Sequence, residues 1–225
     1  MSDSEAQAKA LFELGTATVS DALDRLGINA ACLGLAPTTS AESMCGFAVT
    51  VRYGPASTEA GTVGDYIDEV PAGSVVVLDN AGRLDCTVWG DILTEYALEH
   101  RIAGVLIDGV CRDTALAAEL GFPMFARGRY MRTGKDRVQV EEVGGSVTIG
   151  GVRVAPGDLV IADRDGALIV PASVLDEVLT AATEIRTVED RIRAEIRTGT
   201  SLRAARAAHG YHSLQTRATD TKAGS

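Results

Sequence analysis

No stretch of this chain is apolar for long enough to span a bilayer as a helix. Its start, Met1-Ser2-Asp3-Ser4-Glu5, lacks the basic stretch and apolar core of a secretory leader, so a soluble, cytoplasmic protein is expected. Cysteine is sparse: Cys32, Cys45, Cys86 and Cys111 are scattered without Cys-x-x-Cys spacing, which argues against a disulfide framework and for reduced, mostly buried thiols. Positive charge is also short. With 21 Lys and Arg against 31 Asp and Glu, the net charge is −10, and a broad nucleic-acid surface is excluded. Arg186, Arg191, Arg193, Arg197, Arg203 and Arg206 are a local exception, but they alternate with Glu184, Glu189, Asp190 and Glu195 as on a solvated, salt-bridged helix. There is no Gly-x-Gly-x-x-Gly, P-loop, His-Glu-x-x-His or Gly-x-Ser-x-Gly, and no internal repeat.

What is present is apolar residues in folding periods. At 225 residues and 46% hydrophobic, the chain can bury one sizeable core, and a single domain over 1–202 with a polar tail over 203–225 is expected. The centre of the pattern runs from Trp89 to Gly121. Val105 to Ile107 reads as a buried strand that ends in a turn at Asp108-Gly109. Asp113 then stands at a helix N-cap before Ala115, Leu116, Ala117 and Ala118, with Gly121 closing the helix. Gly90-Asp91 opens an earlier helix with Ile92, Leu93, Tyr96 and Ala97 on one face. Free backbone N–H groups at such starts attract carboxylate or phosphate, and both starts are expected to face one crevice outside the strand ends.

On either side, Glu5–Phe12 and Thr18–Leu26 read as helices, Phe47–Tyr53 and Ser74–Leu78 as strands, and Asp79–Arg83 as a polar exit loop. That loop either borders the crevice or simply closes a turn. From Pro123 the pattern is β, with turns at Gly150-Gly151 and Asp165-Gly166. Pro171 begins a long last helix with apolar residues at helical spacing to Ile196. Cys111 beside Arg112 is a weak nucleophile candidate with no His nearby as its base. His209 and His212 have the spacing of a metal pair.

The succession Gly90-Asp91, about twenty residues, then Asp108-Gly109-x-x-Arg112-Asp113 resembles the RraA-like family, which includes 4-hydroxy-4-methyl-2-oxoglutarate/4-carboxy-4-hydroxy-2-oxoadipate aldolases and regulators of ribonuclease activity. Thr18 to Leu23, Gly46 to Val51, Gly121-Phe122-Pro123 and Pro156-Gly157-Asp158 match as well, so the resemblance covers about residues 10 to 202. Leu116 departs from it, standing where the aldolases carry an acid. The resemblance implies an α/β/β/α sandwich like the swivelling phosphohistidine domain, assembled as a homotrimer or homohexamer. It also implies a carbon–carbon lyase that releases pyruvate from 4-hydroxy-2-oxo acids, with oxaloacetate decarboxylation as a side activity.

Such cleavage needs a sink for the electrons of an enolate, either a Lys Schiff base or a divalent metal. Only Lys9, Lys135 and Lys222 exist, none in an apolar setting, which favours Mg2+ or Mn2+. By resemblance, Asp113 would bind the metal and Arg112 the keto or enolate oxygen. The backbone N–H groups of Gly90, Asp91, Ile92 and Leu93 would hold the pyruvyl carboxylate, and Asp91 would order a water on the metal for proton transfer. Glu189 would reach the metal from a neighbouring subunit, with Glu184 and Glu195 as rivals. Read from the residues alone, Arg112 and Asp113 can also be a helix-capping ion pair. The alternative function is a non-catalytic regulator acting by protein binding. That branch tends to lack the metal-binding Asp, which is kept here.

Overall fold

The computed structural model describes residues 2–58, 61–211 and 214. The chain divides into two compact units, Ala31–Ser173 and a helical unit formed by Met1–Ala30 with Val174–Ser225.

The larger unit is built on ten strands: β1 (Ala36–Pro37), β2 (Met44–Pro55), β3 (Val75–Thr87), β4 (Gly104–Cys111), β5 (Met124–Arg129), β6 (Val138–Val143), β7 (Val147–Ile149), β8 (Val152–Val154), β9 (Leu159–Asp163) and β10 (Gly166–Val170). Eight form one mixed sheet, ordered β1-β5-β4-β3-β2-β9-β10 with β6 also on β2, and β7-β8 is a separate hairpin. β2, β3, β4 and β5 run parallel, and the parallel crossovers need helices. Those after β3 and β4 are filled by the helices containing Asp91–Glu99 and Thr114–Glu119.

Alternation along the central strands sets the layers. Val76, Leu78, Val105 and Ile107 pack in one cluster with Ala97, Ala117, Trp89 and Phe122, which come from the two crossover segments. Val75, Val77 and Leu106 point into a second cluster with Val147, Ile149, Val152 and Val154 of the hairpin. Helix, sheet and hairpin therefore follow one another, and this is the α/β class the sequence predicts.

Two turns expected from the sequence are strand instead. β4 continues through Asp108-Gly109 to Cys111, buried throughout. A strand can bury Asp108 because Arg127 Nε pairs with one carboxylate oxygen and Gly150 N–H donates to the other at 2.8 Å. Asp79–Arg83 lies within β3, whose register on β4 shifts at Arg83 and again at Thr87. Ala81 and Gly82 take positive φ there, at 53° and 67°, so the polar Gly-containing signal marks a bulged strand.

In chain order the helices are α1 (Asp3–Leu14), α2 (Thr16–Arg25), α3 (Asp91–Glu99), α4 (Thr114–Glu119), α5 (Leu175–Arg197) and α6 (Leu202–Ala208). The smaller unit holds α1, α2, α5 and α6. Ser2 and Glu5 form a reciprocal capping box at the start of α1, which extends the expected helix by two residues at each end. Ion pairing of Arg25 with Glu184 at 2.9 Å ties α2 to α5. A single turn at Ala172–Val174 precedes α5, which buries Val178, Ala182, Ile185 and Ile192 but leaves Ile196 exposed. The residues after 202 do not begin as irregular chain. Ser201 caps α6, Ala205 is buried, and His209 Nε2 pairs with Glu195 at 2.7 Å. His209 is thus engaged by a carboxylate; His212 lies outside the described residues.

Candidate active site

The parallel strands β3 and β4 both deliver their chains toward α3. β3 ends at Thr87, whose hydroxyl donates to Trp89 O at 2.9 Å, and Trp89 Nε1 donates to Thr94 Oγ1 at 2.9 Å. Thr94 Oγ1 in turn donates to Gly90 O at 2.9 Å. The indole is buried and stacked on Phe122 with centroids 5.9 Å apart. These bonds fix the first turn of α3 from both sides.

β4 approaches the same turn through its own exit. Arg112 N–H donates to Trp89 O at 3.1 Å, so the backbones of the two exits are joined just before Arg112 and Asp113 diverge. Asp113 occupies the N-cap position of α4 with φ 56° and ψ 31°, the left-handed region that a non-glycine residue enters at a cost. The conformation turns its carboxylate away from α4, which receives no side-chain cap. Asp113 Oδ2 instead accepts the Asp91 N–H at 3.1 Å and lies 3.2 Å from Arg112 Nε. The expected α4 cap is therefore corrected: the residue stands at the cap position, and its side chain serves α3. No hydrogen bond engages Asp113 Oδ1 among the described residues, and the Arg112 and Asp113 side chains are 38% and 36% exposed. Gly90 makes the approach possible, since a Cβ there would lie 2.7 Å from Asp113 Oδ2 and 3.0 Å from Arg112 Nε.

A cavity of about 630 Å3 opens beside this turn. Gly90, Asp91, Ile92, Leu93 and Arg112 all line it, so all five substrate-site candidates from the sequence share one wall. Of the two helix starts expected to face one crevice, α3 supplies lining residues and α4 does not. Ile92 is 78% exposed rather than packed on the helix's apolar face, while Leu93 and Tyr96 rest against the core. Asp91 Oδ1 accepts the Ile92 N–H at 2.8 Å. Asp79, Asn80 and Arg83 do not line the cavity; Arg83 pairs with Asp85, and Asp79 accepts the N–H groups of Ala81 and Thr148.

Another part of the lining was not read from the sequence. Thr62, Gly64, Asp65, Thr133, Lys135 and Gln139 belong to it. They converge because β6 pairs antiparallel with the second half of β2, and Ala56 N–H bonds to Arg137 O at 3.0 Å across the join. No local motif encodes that pairing. Lys135 is exposed there rather than enclosed by apolar groups. Cys111 is buried, burial pushes its thiol up, and its Sγ–H faces Thr38 Oγ1 and Gly128 O, which disfavours the thiolate that a nucleophile needs. Glu189 lies on α5 in the smaller unit, 17% exposed and paired with Arg193 at 2.7 Å.

The donor set bears on the metal expected from the sequence. Among the described residues no three His, Cys, Asp or Glu side chains are grouped to hold an ion. Asp113 nevertheless offers a half-open carboxylate with one oxygen unengaged, and Asp91 lines the adjacent cavity. A cation that takes one or two carboxylates and keeps its waters, such as Mg2+, fits this set.

Fold and site together define an α/β protein that gathers a helix start, an arginine and two carboxylates where parallel strands end. A family model described as RraA-like, Aldolase/RraA, matches residues 16–169, and the chain belongs to that family. It is 38% identical over 204 residues to protein DlpA of Legionella pneumophila, covering 89% of this chain but 33% of that protein. The chain therefore spans about a third of DlpA's length. A relative from Halalkalibacterium halodurans, which carries 4-hydroxy-4-methyl-2-oxoglutarate aldolase as a provisional name, is 32% identical over 74% of this chain and 77% of its own. Among solved structures, an uncharacterized protein from Pseudomonas syringae pv. tomato is similar at 40% identity and TM-score 0.83, covering 90% of this chain and 97% of that one.

Proposed function

We propose that the chain is a divalent-metal-dependent lyase that cleaves 4-hydroxy-2-oxo acids to pyruvate, with oxaloacetate decarboxylation as a side activity. The observation that carries this reading is that Arg112 and the amide start of α3 line one cavity sized for a small oxo acid, with the Asp113 carboxylate bonded to both of them.

Each group has a task that its chemistry suits. The N–H groups at the start of α3 present partial positive charge to a carboxylate. Arg112 offers a permanently charged donor fork to the 2-oxo oxygen, where negative charge grows as the carbon–carbon bond breaks. Asp91 stands on the same wall to hold a water for proton transfer. Asp113 would hold Mg2+ or Mn2+, which when bound supplies Lewis-acid polarisation of the carbonyl. A second acid, Glu189 of a neighbouring copy in a homotrimer or homohexamer, would complete the set, with Glu184 and Glu195 as alternatives. Full engagement of Glu189 would then require it to leave Arg193.

The family description joins aldolases with RraA, which keeps the non-catalytic regulator as the second reading. Pyruvate release from a panel of 4-hydroxy-2-oxo acids and oxaloacetate, in excess chelator and then in Mg2+, separates the two. Release that depends on metal supports the lyase. Release that persists in chelator, or no release beside specific capture of an RNA-degrading enzyme, would overturn it.

A further inference from the structure

Asp113 Oδ2 is held by two groups, the Asp91 N–H at 3.1 Å and Arg112 Nε at 3.2 Å. These are the groups that the proposed reaction assigns to its substrate. A carboxylate arriving at the α3 start meets another carboxylate already bonded there: the two compete for the Asp91 amide, and Asp113 also holds the Arg112 Nε of the guanidinium assigned to the 2-oxo oxygen. We infer that Asp113 is a guard of the anion site: its own carboxylate occupies the place of the substrate's, and substrate binds only after Asp113 is drawn away. This inference rests on the lyase reading for the identity of the anion.

Three features make the guard specific. Gly90 lacks the Cβ that would collide with Asp113 Oδ2, so the carboxylate sits directly over the first turn of α3. The left-handed backbone at Asp113 aims its side chain across at α3 and leaves α4 without that cap. With no hydrogen bond on Oδ1 among the described residues, rotation about the side-chain bonds releases the group without moving the strand. A divalent cation is the natural agent of release, because it competes with the amide and the guanidinium for the same oxygens. Binding is then ordered, cation before oxo acid. The site stays closed to stray carboxylates until it is able to use one.

The test measures binding rather than turnover, by titrating pyruvate calorimetrically into wild type, Asp113→Gly and Asp113→Asn, each in excess chelator and in Mg2+. Glycine suits the observed φ without a side chain, and asparagine tolerates it while removing the charge. Trp89 is the sole tryptophan, and its near-ultraviolet signal reports that the site has kept its fold. In chelator, Asp113→Gly should bind pyruvate at least about tenfold more tightly than wild type, as expected for freeing a charge-assisted hydrogen bond, with Asp113→Asn between them. Mg2+ should tighten binding to wild type and leave Asp113→Gly unchanged. If neither variant gains affinity in chelator while wild type still needs Mg2+, the guard is overturned and the lyase reading stands. If both variants gain affinity but wild type ignores pyruvate even in Mg2+, Asp113 does cover the anion site, while its release by a cation and the lyase reading are both overturned.

Discussion

Strand β4 carries one ion pair within its span and another just past its end, and they are built differently. Asp108 is nearly sealed at 8% exposure, with one oxygen on Arg127 and the other on the Gly150 amide. Five residues on, Asp113 is 36% exposed, with one oxygen shared between Arg112 and the Asp91 amide and the other unengaged. The first is satisfied at both oxygens by groups from β5 and the β7-β8 hairpin, so it locks the layers together. The second has spare capacity and a strained backbone beside a cavity. A charged pair with both carboxylate oxygens bonded holds a fold, whereas one left incomplete at a strand exit is free to bind something else.

That contrast can be broken from either side. Asp108→Ala should have the largest effect on stability, lowering it by about 2 to 3 kcal/mol in urea denaturation, because it strands Arg127 and the Gly150 amide. A loss below the scatter of surface substitutions would place Asp108 among ordinary exposed acids. Arg112→Lys keeps the charge but not the fork, and should cost about 2 kcal/mol in kcat/KM for pyruvate release while the melt is unchanged. Unaltered kinetics would return Arg112 and Asp113 to a structural pair. Gly90→Ala should cost about 1 kcal/mol of stability by pushing the Asp113 carboxylate off α3. An unchanged melt together with unchanged pyruvate affinity would show that the close approach is dispensable.

The smallest effect concerns the thiols. Burial, aided by Asp108, pushes Cys32 up to about 12, and burial pushes Cys45 up to about 11. Above the ordinary thiol value of 9.0 the unfolded chain loses these protons while the folded chain keeps them, so stability falls as pH rises from about 9 toward 11 and 12. Below 9 the two thiols add no slope. Rapid labelling of native protein by iodoacetamide at pH 8 would contradict this burial.

The sequence pointed to one part of the cavity lining far better than to the rest. Gly90, Asp91, Arg112 and Asp113 announce themselves because they sit where period and turn chemistry change together, at helix starts after buried strands. The wall with Thr62, Lys135 and Gln139 is assembled by antiparallel pairing of segments about eighty residues apart, which no local pattern encodes. Asp79–Arg83 and Asp108-Gly109 were misread for a related reason. Polar residues and glycine usually end a strand, but here bulges and buried partners carry the strand through them. Along α5 the periodicity gave the right face as far as Ile192, and the four-helix arrangement of the smaller unit was not foreseen.

The most direct measurement of the central claim sets the two aspartates side by side. Asp108→Asn and Asp113→Asn are assayed for pyruvate release in one Mg2+ buffer, well below either melting point, with rates expressed per folded molecule. Asp108→Asn should melt earlier and turn over near the wild-type rate. Asp113→Asn should melt like wild type within about 0.5 kcal/mol and release pyruvate at least about a hundredfold more slowly. Near-wild-type turnover by Asp113→Asn would contradict the account.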